Sequence, residues 1–86
     1  MVIYVSVPPF GLQPGQYAYV QVADHIAARI AAGELAPGAR LPGERELAAE
    51  YGVALGTARR AVQELRGRGL VRTLPALGTY VVDQDG

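Results

Sequence analysis

The spacing of apolar residues changes character twice along this chain. Before residue 17 it is irregular: Val2-Ile3-Tyr4-Val5-Ser6-Val7 has β propensity without clean alternation, and Pro8-Pro9, Gly11, Pro14 and Gly15 break up the stretch after it. From Tyr19 a helical period takes over. Tyr19, Val22, Ala23, Ile26, Ala27 and Ile30 fall at i, i+3, i+4 and i+7, the stripe of an amphipathic helix. Asp24, His25 and Arg29 lie off that stripe, which predicts a solvated His25. Gly33 marks the helix end, Leu35 anchors a loop, and Pro37-Gly38 suits a tight turn.

A second helix is predicted after Pro42. Gly43 is a weak N-cap, and Glu44 and Glu46 sit near the positive end of the helix dipole. Leu47, Ala48 and Tyr51 form its apolar side, and Gly52 ends it. A third helix is expected from Leu55 to Arg66, with Ala58, Ala61, Val62 and Leu65 buried and Arg59, Arg60, Gln63 and Glu64 outward or marginal. Gly67 and Gly69 stop it. The period then becomes that of strands: Leu70 to Leu74 and Thr79 to Val82 flank Pro75-Ala76-Leu77-Gly78 as a hairpin.

The predicted fold class is mainly α with a small β-hairpin, a winged helix-turn-helix of three helices followed by a two-stranded wing. Residues 1–16 are an N-terminal extension, flexible or a short strand; 17–82 form the domain; 83–86 are a tail. A chain of 86 residues supports one modest core. With no cysteine, disulfides and cysteine-ligated zinc are excluded and a cytoplasmic setting is expected. No apolar run approaches a membrane span, and the apolar N-terminus lacks the basic leader and cleavage site of a signal peptide.

The formal net charge is zero, which argues at first against nucleic acid. The distribution answers that objection. All eight basic residues are arginines, and Arg59, Arg60, Arg66, Arg68 and Arg72 share the stretch from Leu55 to Tyr80 with a single acid, Glu64. A neutral protein can still carry a basic face, although a solvated arginine face with no partner has the same signature. In a helix-turn-helix the second helix of the pair enters the major groove. Thr57, Arg59 and Arg60 stand in its first turns here, and arginine serves both as a bidentate reader of guanine and as a phosphate clamp.

The residues also carry a family resemblance. Tyr19 to Ile30 with Gly33-Glu34-Leu35-Ala36-Pro37-Gly38, then Leu41-Pro42-Gly43-Glu44-Arg45-Glu46-Leu47-Ala48, are similar to the first helix and the "LPSERELA" motif of GntR-family regulators. Gly52 to Ala61 is similar to their "GVSRxTVRxA", and Gly69-Leu70-Val71 and Gly78-Thr79-Tyr80-Val81 to the wing motifs. The resemblance covers residues 17–82. It implies a homodimeric, repressor-type regulator on a palindromic double-stranded DNA operator. Arg45, Thr57 and Arg59 occupy positions that contact DNA in that family. Arg60, Leu55, Gly56, Leu77 and Gly78 complete the expected contact surface.

Five positions depart from the motifs: Gly43 and Ala54 stand for serines, Leu55 for an arginine, and Ala76 and Leu77 for the first two residues of Gly-Arg-Gly, with Gly78 kept. Ala54 removes a capping hydroxyl worth ~1 kcal/mol. Leu55 and Leu77 remove two phosphate-type contacts, which lowers the salt slope by roughly two. Leu55 either presses on a thymine methyl, shifting preference toward A·T, or leaves weaker binding and an adhesive surface. A protein-interaction module, an antagonist of full-length relatives, is the second function class. GntR-family regulators carry a C-terminal effector and dimerisation domain, so a piece of a longer regulator or a module without its own small-molecule site is expected. Val2 to Val7, with Phe10 and Tyr17, is the candidate dimerising segment. No catalytic triad, metal-ligand cluster or phosphate loop is present, which excludes an enzyme and predicts no cofactor.

Overall fold

The computed structural model describes residues 7–83; most of the β-prone segment from Val2 and the end of the tail lie outside the described residues. Three helices and a hairpin follow in order: α1 (Ala18–Ala31), α2 (Glu44–Tyr51), α3 (Leu55–Gly67), β1 (Val71–Leu74) and β2 (Gly78–Val81). The helical stripes become one core. Val22, Ala23 and Ile26 of α1 meet Leu47 and Tyr51 of α2 and Ala58, Ala61, Val62 and Leu65 of α3, and Leu41, Val71 and Val81 close it.

All three helices end alike. After α2 the Gly52 N–H bonds to Ala49 O at 3.3 Å and the Val53 N–H to Ala48 O at 3.0 Å, and the same paired closure occurs at Gly33 and Gly69. Gly52 adopts φ 66°, a left-handed conformation that glycine takes without a Cβ penalty. That single residue reverses the chain between α2 and α3 and sets the helix-turn-helix. The helix starts are barer: none of the three N-cap residues, Tyr17, Gly43 and Ala54, makes a side-chain capping bond.

The hairpin is antiparallel, pairing Val71 with Val81 through Leu74 with Gly78. Its second strand has another neighbour. Arg40 bridges Tyr80, Leu41 N–H bonds to Thr79 O at 2.8 Å, and Gly38 and Ala39 exchange bonds with Val81 at 2.9 Å. The stretch before Pro42, expected as loop, therefore runs partly as a third edge beside β2. Ala76 at the wing tip holds φ 66° where the family motif has glycine, a conformation that costs an L-residue about 1 kcal/mol.

Residues 7–16 form no helix or strand but pack on the domain. Gln21, buried in α1, accepts from the Gln13 N–H at 2.7 Å and donates to the carbonyls of Gln13 and Gln16 at 2.8 and 2.9 Å. Phe10 meets Tyr51 and His25 edge-on, with centroids 4.8 and 5.5 Å away. His25 is therefore not the solvated residue expected from its place off the stripe. Its Nδ1 lies 2.8 Å from the Tyr51 hydroxyl and its Nε2 2.7 Å from Pro8 O.

The Pro8 carbonyl fixes the polarity of this chain of bonds. It can only accept, so His25 Nε2–H donates to it and the neutral ring takes the Tyr51 phenol proton at Nδ1, while Arg29 Nη1 donates to the same hydroxyl at 3.1 Å. Burial pushes the Tyr51 phenol above its ordinary pKa, against the opposing pull of Arg29. Tyr51→Phe deletes the relay and strands His25 Nδ1. Urea unfolding should register a loss of about 1–3 kcal/mol; an unchanged midpoint would show that the relay contributes nothing to stability.

Candidate nucleic-acid interface

Helix α3 buries one side on α1 and α2, which turns Gly56, Arg59, Arg60, Gln63 and Arg66 outward. Two adjoining grooves border this outer side. The larger, about 340 Å³, lies between α3 and the wing and includes Arg40, Arg59, Gln63, Arg66, Thr73 and Thr79. The smaller gathers Gly43, Glu44, Arg45, Glu46, Leu55 and Arg59 where the first turns of α2 and α3 converge. The two grooves adjoin at Gly43, Glu44 and Arg59, which line both, and together they make up the channel of this face.

Arg45, at the second position of α2, is exposed and has no ion pair among the described residues. Arg59 reaches back to α2, its Nε 3.4 Å from Glu44 Oε2, with both side chains about half exposed. The Thr57 hydroxyl makes no hydrogen bond among the described residues, so it is not spent on its own helix. Leu55 opens α3 half-buried on the wall of the smaller groove, and beside it Gly56 leaves open space where a side chain would stand. The structure thus brings Arg45, Leu55 and Arg59 together.

Two expected contact residues sit differently. The Arg60 guanidinium lies 4.2 Å over the Tyr19 ring of α1, a cation–π contact that holds it against the helix bundle. Leu77 stands 62% exposed at the wing tip, outside both grooves. Gly78 has a structural reason of its own. At φ 129° it carries the Arg40 guanidinium so closely that a Cβ would fall 2.5 Å from Arg40 Nε.

Sequence reasoning missed Arg40, Gln63 and Arg66 as lining residues. Arg66 Nη1 donates to Thr73 Oγ1 at 2.7 Å, and the Thr73 and Thr79 hydroxyls lie 2.8 Å apart, which ties α3 to both wing strands. Arg66 was visible as part of a basic stretch; Arg40 lies in a segment with no period to reveal it.

The fold also segregates charge. Arg29 is held by Glu34 and Glu50 at 2.9 and 3.0 Å, and Arg68 by Asp24 and Glu64 at 2.7 and 2.9 Å. Hydrogen bonds to Glu64 and Asp24 raise the Arg68 pKa further above its ordinary value. Four acids are thereby spent on two arginines away from the channel. Arg40, Arg45 and Arg66 have no carboxylate partner among the described residues. Alternation along β1 puts Arg72 on the face opposite Thr73, so two arginines of the basic stretch, Arg68 and Arg72, do not serve this channel. Among the described residues no helix is long and apolar enough to cross a membrane.

The pattern described as "Bacterial regulatory proteins, gntR family" matches residues 18–81. The chain belongs to the GntR family. It is 40% identical over 63 residues to the HTH-type transcriptional regulator SmoD of Agrobacterium fabrum, covering 73% of this chain and 27% of SmoD. It is 41% identical over 66 residues to the mannosyl-D-glycerate transport/metabolism system repressor MngR of Escherichia coli, covering 77% of this chain and 28% of MngR. The chain thus spans little more than a quarter of these relatives. The DNA-binding domain of AraR, solved in complex with operator ORX1, superposes with a TM-score of 0.76 at 30% identity, over 84% of this chain and 92% of that one. This GntR-family chain is a winged helix-turn-helix DNA-binding domain of a transcription regulator and not an enzyme. None of these proteins supports the protein-interaction alternative.

Proposed function

We propose that this domain binds double-stranded DNA sequence-specifically, as a homodimer on a palindromic operator in the cytoplasm, and represses transcription. The observation that carries the reading is the channel between α3 and the wing, which holds uncompensated arginines in a protein of zero net charge. MngR is named a repressor, and AraR was solved on operator DNA; both support the direction and the partner. No small-molecule effector site is assigned to these residues.

In this reading α3 enters the major groove with Arg59 facing a guanine edge, its guanidinium donating to O6 and N7. Gly56 lets the first turn approach the bases, and Thr57 donates its free hydroxyl to a phosphate. Arg45 and Arg60 flank the helix as phosphate contacts, and Leu77 and Gly78 bring the wing tip to the neighbouring backbone. Arg40 and Arg66 supply positive charge that the motif positions Leu55 and Leu77 lack.

The test is selection from a library of short duplexes, followed by binding across a salt series. Phosphate contacts from Arg40, Arg45, Arg60 and Arg66 correspond to a log–log salt slope of roughly −4 for each bound domain. A chain that enriches no duplex at low salt would refute the reading. Leu55 gives a base-level prediction. If its side chain meets a thymine methyl, replacing that thymine with deoxyuridine weakens binding by about 0.8 kcal/mol, close to fourfold. Leu55→Ala should be indifferent to the same replacement, and equal loss in both proteins would reject the methyl contact.

A further inference from the structure

Glu44 is the one carboxylate that both grooves share, and it touches the cation best placed to read a base. It begins α2, Arg59 lies in the second turn of α3, and their 3.4 Å contact crosses the helix-turn-helix. Exposed ion pairs of this kind add little to folding. The pair's weight falls elsewhere, because it stands on the surface that meets a polyanion.

We infer that Glu44 is a specificity-determining residue that makes Arg59 a reader of bases rather than a general holder of phosphate. This rests on the DNA-binding reading above. Glu44 stands on the Nε side of Arg59 as an ion pair at 3.4 Å, and no ion pair of the terminal nitrogens occurs among the described residues, so these present the donor edge needed for end-on contact with guanine O6 and N7. It also offsets the arginine's charge where a phosphate would seek it. A phosphate that approaches Arg59 meets the Glu44 carboxylate and is repelled, whereas a guanine edge is neutral and is not. Unmatched DNA therefore gains little from Arg59, and matched DNA gains its two hydrogen bonds. Discrimination comes from what is refused as much as from what is bound.

Glu46 provides the control. It carries the same charge in the same first turn of α2 and lines the smaller groove, but has no ion pair among the described residues. The experiment measures dissociation constants for a selected and a scrambled duplex across a salt series, using the wild type, Glu44→Gln, Glu46→Gln, Arg59→Ala and the Glu44→Gln/Arg59→Ala pair. Glu44→Gln should tighten the scrambled duplex several-fold and steepen its salt slope by roughly 0.9, the signature of one more phosphate contact. The ratio of selected to scrambled affinity should fall about tenfold, against less than about twofold for Glu46→Gln. With Arg59 already alanine, Glu44→Gln should leave the ratio nearly unchanged.

Equal falls in Glu44→Gln and Glu46→Gln would overturn the inference, since bulk charge would then suffice. So would an undiminished effect without Arg59. In either case the wild type still selects a duplex and the DNA-binding reading stands. A wild type that selects none removes both.

Discussion

Arg59→Ala is expected to lower affinity for a selected duplex by about 1–3 kcal/mol, roughly 5- to 150-fold, and to relax preference at one base pair. The upper end is favoured because of Glu44. With its partner gone, that carboxylate remains exposed on the channel with nothing to offset its charge. The scrambled duplex should weaken far less, since the phosphate contacts proposed for Arg40, Arg45, Arg60 and Arg66 are untouched. Folding should hardly register the change: Arg59 is more than half exposed, and surface substitutions of this kind fall within about 0.5 kcal/mol. Matched urea curves beside divergent binding curves would assign the loss to recognition. Equal losses on both duplexes would make Arg59 a phosphate contact instead.

Leu65→Ala carries the largest expected effect on stability. Leu65 is fully buried at the inner side of α3, whose most extensive helix contact is with α1. Truncation leaves a cavity in the core and should cost about 2–5 kcal/mol. Domains this small are stable by only about 5–15 kcal/mol, so the variant stands near its folding threshold at ambient temperature. Its urea midpoint should fall by about 1 M or more. Leu65→Met, which nearly conserves volume, should lose less than about 1.5 kcal/mol. Comparable losses in the two variants would point to a specific shape requirement rather than to a cavity.

The helices were legible because each states its period locally. The stripe Ala58, Ala61, Val62 and Leu65 is the buried side of α3 without exception, and Gly52 turns where a helix end was expected. The motifs that carry the family resemblance likewise survive as geometry, with Arg45, Leu55 and Arg59 meeting in one groove. What escaped depends on partners far along the chain. His25 finds Tyr51 26 residues later and Pro8 17 residues earlier, and no local pattern encodes either meeting. Arg68 counts as a basic residue in any window, yet Asp24 on α1 takes its charge away from the channel. Arg40 pairs through a single bridge, too short to leave an alternation.

The bonds from Gly38, Ala39 and Leu41 to β2 make that strand the middle of its small sheet rather than an edge. A hairpin joined to a domain only at its base can swing as a lever. This one cannot, because swinging it would strip the amides of Gly38, Leu41 and Val81 from their acceptors. Those amides should exchange with solvent in a single opening unit with the strands they bridge. A backbone that pulls on the wing therefore pulls on the connection between α1 and α2. The tip, residues 75–77, lies beyond the last strand pair and is itself closed by the Leu77 N–H donating to Leu74 O at 3.0 Å, so the wing is tied from its base to its turn.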